Sequence, residues 1–301
     1  MTRMEVSNPD KVLYPDDGIT KADVVAYYER VAGAMVPHLE GRPLTLERYP
    51  DGVGTKGFMQ KNASKHFPET IERVEVPKEG GTTNHPLCDS PDDLVYLANQ
   101  GTLTFHVWTA RLPDLDRPDR LVLDLDPAEE AGPPRQAAEA ARQVLADIGL
   151  EAGLMTTGSR GYHVIARIAP VHDYETVGET SRLLAGVVAA RHPDEATTEF
   201  RKAARDGRVF VDWLRNRRAQ SVVSAWSLRP RPRAPVAMPI TWDELATTDP
   251  NRWKMEDATE RLAAPDPWPA PGSLELERVA ALADDHDVAY SEPFDRFRSA
   301  R

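Results

Sequence analysis

The stretch Leu121-Val-Leu-Asp-Leu-Asp-Pro127 leaves the chain few ways to fold around it. Its apolar run has strand composition, and side chains two apart on a strand share a face. Asp124 and Asp126 therefore emerge together near the strand end, with Leu123 and Leu125 on the other side. Pro127 donates no ladder hydrogen bond and suits a strand end. Two adjacent carboxylates repel and raise each other's pKa unless positive charge sits between them. Hard divalent cations supply that charge through oxygen ligands, so the stretch predicts a metal site.

At 301 residues with 41% hydrophobic content, the chain can fill one large core or two ordinary ones. No apolar run approaches the ~20 residues of a membrane span. Met1-Thr-Arg-Met-Glu-Val lacks the apolar core of a signal peptide. The single cysteine, Cys88, excludes an internal disulfide and a cysteine-based zinc cluster, and reads as a small packing residue. A soluble cytoplasmic protein is the expectation. The net charge of -11 argues against a protein that coats nucleic acid. Residues 191–235, however, hold 11 basic and five acidic residues, whereas 66–190 hold 10 and 20. One basic segment in an acidic chain points to a localised anionic ligand.

Local signals place the elements. Thr20 caps a first helix, with Asp23 in the capping-box position and an apolar face of Val24, Tyr27, Tyr28, Val31 and Met35 that ends before Pro37. Leu44 to Tyr49 reads as a strand, Asp51-Gly-Val-Gly as a turn, and Phe58 to Lys61 as extended chain. Ser90 and Pro91 start a second helix that stops near Gly101, followed by a strand from Leu103 to Trp108. A helix from Arg135 to Ile148 precedes two strands around a Gly158-Ser-Arg-Gly161 turn. Further helices are predicted over 175–190, near 198–206 and over 273–284, with strands at 209–212 and 221–223. Residues 228–239 read as extended, and 264–272 as a stiff proline-rich linker.

Three features join the aspartates. In Thr156-Thr-Gly-Ser-Arg-Gly-Tyr-His163, a glycine-bracketed turn offers backbone N–H groups and a hydroxyl to an anion, and Arg160 and His163 add charge-assisted donors. An ordinary hairpin turn explains the glycines equally well. Val209-Phe-Val-Asp212 ends a third apolar strand in a carboxylate. Alone it reads as a helix cap or solvated strand end; with Asp124 and Asp126 it completes a set for two divalent ions and in-line phosphoryl displacement. The arginines 215, 217, 218, 229, 231 and 233 are either a solvated loop or a triphosphate clamp. His106, among aromatics, carries little weight alone.

Nine motifs then follow in order. They begin with Asn8-Pro-Asp-Lys-Val-Leu-Tyr-Pro, Thr20-Lys-Ala-Asp, Gly57-Phe-Met-Gln-Lys61 and Phe105-His-Val-Trp. Asp124-Leu-Asp-Pro, Thr157-Gly-Ser-Arg-Gly-Tyr-His and Val211-Asp-Trp continue the series. Gln220-Ser-Val-Val-Ser-Ala-Trp-Ser-Leu-Arg229 and Ala234-Pro-Val-Ala-Met-Pro-Ile-Thr-Trp close it. Over roughly residues 5–290 the chain resembles the polymerase domain of bacterial ligase D and its stand-alone relatives, in the archaeo-eukaryotic primase superfamily. The resemblance implies an α/β (α+β) fold with an RRM-like sheet and flanking helices. It implies a single primase-polymerase domain with DNA-contacting elements in about 1–110, a catalytic part in about 111–260 and a linker and helix in about 261–301.

It further implies template-dependent nucleotidyl transfer at gaps or breaks in DNA repair, a preference for ribonucleotides, and two divalent ions per site, Mn2+ or Mg2+. Asp124, Asp126 and Asp212 match the metal carboxylates. His106, Thr157, Arg160, His163, Arg215 and Arg229 match positions holding the NTP or dNTP, and Lys61 belongs with them. Lys11 and Lys21, with Asn8 beside them, match a grip on the 5′-phosphate of gapped or broken DNA. Phe58 matches an aromatic that stacks on the template, and Met59 stands where a second aromatic is usual. Thr157 replaces serine, Arg160 replaces lysine and Trp226 replaces tyrosine, changes that bear on substrate grip. No Lys-x-Asp-Gly ligase motif is present. The expectation is a separate protein working in trans with a DNA ligase and the Ku end-binding protein. Two other readings start from the same residues. A manganese-dependent glycosyltransferase leaves Asp212 and the lysine pair unexplained, and a non-catalytic 5′-phosphate end-binding module leaves the paired aspartates unexplained.

Overall fold

The computed structural model describes residues 5–129 and 131–297. The chain first forms β1 (Val12–Tyr14), β2 (Ile19–Thr20), α1 (Lys21–Leu39), β3 (Leu44–Arg48), β4 (Phe58–Gln60), β5 (Arg73–Lys78), β6 (Gly81–Pro86), α2 (Pro91–Asn99) and β7 (Thr102–Val107). Next come β8 (Arg120–Asp126), α3 (Arg135–Asp147), β9 (Gly153–Thr156), β10 (Tyr162–Arg167), α4 (Tyr174–Arg191), β11 (Ala196–Thr197) and β12 (Val209–Asp212). β13 (Val222–Val223), β14 (Pro239–Ile240) and α5 (Leu276–Asp285) complete the regular structure. These elements sort into two compact units. One takes the chain up to residue 113 with 221–238 and 251–266; the other takes 114–220, 239–250 and 267 onward. The architecture is mixed α+β, and among the described residues no helix is long and apolar enough to cross a membrane.

In the first unit, Thr20 caps α1 as its sequence requires. Its hydroxyl accepts from the Asp23 N–H at 3.2 Å, and the Asp23 carboxylate accepts from the Thr20 N–H at 2.8 Å. The face of Val24, Tyr27, Tyr28, Val31 and Met35 is fully buried. The Tyr27 hydroxyl donates to the Trp226 carbonyl at 2.9 Å and the Tyr28 hydroxyl to the Leu103 carbonyl, so two buried rings keep their polar tips satisfied. The expected stop before Pro37 does not occur. Glu40 N–H donates to the Val36 carbonyl at 2.9 Å, and burial of His38 and Leu39 holds one more turn in place. An antiparallel sheet of order β13-β7-β3-β4 leaves β4 at an edge, and β5 with β6 forms a separate hairpin.

The second unit is built on a six-stranded sheet of order β11-β12-β8-β10-β9-β14, antiparallel except for the β11–β12 pair. Leu121, Leu123 and Leu125 are fully buried and point away from Asp124 and Asp126. α3 and α4 pack together on this sheet, α4 against both β8 and β12. The helix expected near 198–206 is absent; only a 3-10 turn forms, Lys202–Ala204. The Arg205 guanidinium turns back on the chain and donates to the Glu199 and Phe200 carbonyls, which replaces helical pairing there. The proline-rich stretch 264–272 carries the chain between the two units. Its Trp268 is buried, donates to the Leu154 carbonyl at 3.3 Å and lies under the guanidinium groups of Arg120 and Arg167.

Candidate active site

Strand register brings the acidic residues together. Asp124 on β8 stands opposite His163 on β10 and opposite Asp212 on β12. Directly opposed residues share a face, so His163, Asp124 and Asp212 form one row across three strands. Asp126 lies two residues on, on the same face, opposite Phe210. The approach of β10 to β8 is close at Gly161, where an added Cβ would lie 1.9 Å from the Leu125 carbonyl oxygen. Only glycine lets the strands meet there.

Basic groups surround the carboxylates. His163 Nε2 is 3.4 Å from Asp124 Oδ1, and Arg215 Nε is 3.4 Å from Asp124 Oδ2 and 3.2 Å from Asp212 Oδ2. Arg160 Nη2 lies 3.9 Å from Asp126 Oδ1. Burial alone would raise the Asp124 carboxyl, but His163 and Arg215 outweigh it and hold Asp124 below the ordinary carboxylate range. Asp212 goes the other way. Burial raises it, Arg215 only partly offsets this, and repulsion from Asp124 and Asp126 adds to the rise. Two carboxylates in one row thus have their affinities for protons pushed apart.

Arg215 is fixed by its neighbour Asn216. The buried Asn216 amide donates to the Val122 carbonyl at 2.7 Å and accepts from the Val122 N–H at 2.7 Å, like one more rung of the β8 ladder. Neither Asn216 nor Arg205 was expected at this site. Arg205 Nη1 is 3.7 Å from Asp126 Oδ2, and its guanidinium lies over the Phe210 ring at 4.1 Å. No local signal marks either residue, because each acts on a strand far away in sequence.

The Gly158 to Gly161 turn has more of its polar groups occupied than its sequence suggests. The Thr157 hydroxyl donates to the Gly161 carbonyl at 2.9 Å and the Thr157 N–H donates to the same oxygen, so this hydroxyl closes its own turn. The Gly158 N–H is taken by the Pro250 carbonyl at 2.9 Å. Nδ1 of the buried His163, by contrast, finds no partner among the described residues.

The other expected residues belong to the first unit. His106 Nε2 lies 3.4 Å from Glu47 Oε2. Burial would raise the Glu47 carboxyl, but His106 and Arg229 reverse the shift and leave it lowered. The Arg229 backbone carbonyl accepts from the Tyr14 hydroxyl at 3.0 Å. Lys61 is exposed just beyond β4. Phe58 and Met59, on the edge strand β4, are 47% and 51% exposed. Being adjacent on a strand, they face opposite ways, and Arg48 backs Phe58 at 5.4 Å. Lys11 Nζ is 2.6 Å from Asp51 Oδ1, and Lys21 Nζ donates to Ser7 Oγ at 2.7 Å. Asn8, ahead of both in sequence, takes a left-handed conformation at φ 48, and its carbonyl accepts from the Lys11 N–H at 3.1 Å.

An all-oxygen donor set of Asp124, Asp126 and Asp212 suits a hard divalent ion. Among the described residues, no three His, Cys, Asp or Glu side chains stand arranged to hold one. Guanidinium groups supply the positive charge instead, Arg215 to Asp124 and Asp212, Arg160 and Arg205 to Asp126. The donor chemistry of the three carboxylates fits a cation.

Residues 20–268 match the family model for the LigD primase-polymerase domain. The multifunctional non-homologous end joining protein LigD of Mycolicibacterium smegmatis is 35% identical over 264 residues, covering 86% of this chain and 35% of that protein. The LigD of Mycobacterium tuberculosis is 34% identical over 313 residues, covering 99% of this chain and 39% of that one. The chain thus spans little more than a third of these relatives. A solved structure, the polymerase domain of Mycobacterium tuberculosis ligase D in complex with DNA, superposes with a TM-score of 0.82 at 34% identity, over 87% of this chain and 95% of that one.

Proposed function

This chain belongs to the LigD primase-polymerase domain family, and from that premise we propose that it is a template-directed nucleotidyltransferase of DNA repair. It extends primer 3′ ends at short gaps or breaks, prefers ribonucleotides, and serves end joining together with a ligase and an end-binding protein. The observation that carries the proposal is the row of His163, Asp124 and Asp212 with Asp126 on the same face.

Asp124, Asp126 and Asp212 would hold two divalent ions, Mn2+ or Mg2+, whose charge when bound lowers the pKa of an attacking hydroxyl and stabilises a leaving phosphate. The chain's own residues do the rest. His163, with Arg215, holds Asp124 below the ordinary carboxylate range and is a charge-assisted donor toward the triphosphate. Arg215 and Arg160, released from the carboxylates, turn their forks to triphosphate oxygens. The Thr157 hydroxyl fixes the turn that carries Arg160. In the reaction the primer 3′-oxygen bonds to the α-phosphorus, the bond to the β-phosphate oxygen breaks, pyrophosphate leaves, and the hydroxyl proton passes to solvent. Lys11 and Lys21 take the downstream 5′-phosphate, and Phe58 stacks on a template base.

The test is primer extension on a gapped duplex, with manganese against magnesium, ribonucleotides against deoxynucleotides, and a 5′-phosphate against a 5′-hydroxyl. The expected result is faster extension in the first member of each pair. Phosphate-dependent DNA binding without any incorporation would overturn the proposal in favour of an end-binding module.

A further inference from the structure

The lysine pair of the first unit sits in a small, well-built framework. Lys21 is buried, its Nζ donates to Ser7 Oγ at 2.7 Å, and Ser7 is itself held by the Asn99 side chain through N–H and hydroxyl bonds of 3.1 and 3.3 Å. The Lys21 N–H donates to the Lys11 carbonyl at 2.8 Å, so the two lysines are tied together through backbone. Burial, with Lys11 and Arg48 near by, lowers the pKa of Lys21, as a site short of negative charge should.

Lys11 is treated differently. Its ammonium is held at 2.6 Å by the Asp51 carboxylate, 40 residues on. Asp51 does not reach that position by chance rotation of a loose loop. The Gly52 N–H donates to the Tyr49 carbonyl at 3.1 Å, and the Val53 N–H donates to the Leu13 carbonyl at 2.8 Å, which pins the turn against β1. Gly52 has φ +85, and an added Cβ would stand 3.1 Å from the carbonyl oxygens of Val12 and Leu13, so the turn cannot back away with an ordinary residue there. A carboxylate is thereby presented from this turn to Lys11, the residue just ahead of β1.

We propose that Asp51 is a built-in competitor of the DNA end. Its carboxylate holds Lys11 in the free protein, and a 5′-terminal phosphate must displace it. The inference rests on the reading of Lys11 and Lys21 as the 5′-phosphate site. A terminal phosphate carries about -1.5 to -2 charge at pH 7 and three acceptor oxygens, so it outbids a single carboxylate for the ammonium. An end bearing a hydroxyl brings no such group and leaves the Lys11–Asp51 pair intact. Asp51 therefore weakens the grip on phosphorylated ends, shortens their residence, and keeps Lys11 from other anions.

The test is binding of a labelled gapped duplex, 5′-phosphorylated or 5′-hydroxyl, to wild type, Asp51→Asn, Lys11→Ala, Lys21→Ala and the double variant Lys11→Ala/Asp51→Asn across a salt series. Asp51 is exposed, and asparagine suits a turn, so the variant folds. Asp51→Asn should tighten binding of the phosphorylated duplex about threefold to fivefold and leave the hydroxyl duplex unchanged. The salt slope should steepen by about 0.7–0.9, because in wild type the displaced Asp51 carboxylate takes up a cation as the phosphate releases one, and a neutral amide at position 51 does not. In the Lys11→Ala background the effect should vanish. Equal tightening on both ends, persistence of the effect without Lys11, or no change at all would overturn the inference. If neither lysine variant alters the preference for phosphorylated ends, the site reading itself is wrong, a result distinct from failure of Asp51 alone.

Discussion

Gly161→Ala is a one-atom test of the way the strands present the acidic row. A Cβ at this position would lie 1.9 Å from the Leu125 carbonyl oxygen, whereas real Cβ contacts essentially never fall below 3.0 Å. The difference, 3.0 minus 1.9, requires about 1.1 Å of separation between the end of β10 and the end of β8. Both partners are backbone, so no side-chain rotation can relieve the clash. His163 is two residues away on β10, and Asp124 and Asp126 flank Leu125 on β8. Overpacking of this kind costs roughly 1–3 kcal/mol, and a displacement near 1 Å in a reacting constellation costs on the order of 10²-fold in rate. Urea unfolding and single-turnover primer extension should report both losses, while binding of a phosphorylated end, proposed above for Lys11 and Lys21, should stay within about twofold. A Gly161→Ala protein with wild-type stability and extension rate would refute the argument from strand approach.

Asn216→Leu should lower stability by about 2–4 kcal/mol in urea titration, since the Val122 N–H and carbonyl both lose a buried partner. Glu179 accepts from Arg182 and from the Ser291 N–H; burial would raise its carboxyl, but these partners hold it below the ordinary range. A depressed carboxyl stabilises the fold above its unfolded pKa of about 4.3 and loses that contribution as pH falls through the folded value. Glu179→Gln should thus cost about 1 kcal/mol at pH 7, and its melting temperature should converge with wild type near pH 3. Phe58→Ala should weaken binding of a template overhang by about tenfold, read by competition with unlabelled single strand, whereas Met59→Ala should change it little.

Much of the second unit was legible from the sequence because its signals are local. The Asp124–Asp126 spacing, the hairpin around Gly158 to Gly161 and the strand ending in Asp212 each state their geometry within a few residues. The first-unit caps at Thr20 and Ser90 were legible for the same reason. Residues that act over long separations were not. Asn216 pairs with Val122 across 94 positions, and Arg205 reaches Asp126 only because the chain between Glu199 and Arg208 refuses the helix its composition allows. The Thr157 hydroxyl was expected to be free for a phosphate, and its use in its own turn depends on where the Gly161 carbonyl points. Residue patterns alone offered a divalent cation on the aspartates and, as alternatives to a plain hairpin and a solvated loop, an anion at the Gly158 to Gly161 turn and a triphosphate on the arginines; individual roles toward nucleotide and DNA came from the order of nine motifs.

The central claim is that Asp124 and Asp126 form the chemical centre of a nucleotide-adding enzyme. Manganese-dependent extension of a primer across a one-nucleotide gap, compared between wild type, Asp124→Ala and Asp126→Ala, addresses it directly. Wild type should incorporate the templated nucleotide, and each variant should fall by at least about 10³-fold with duplex affinity unchanged or higher, because a negative charge has been removed. Extension at the wild-type rate by either variant would contradict the account.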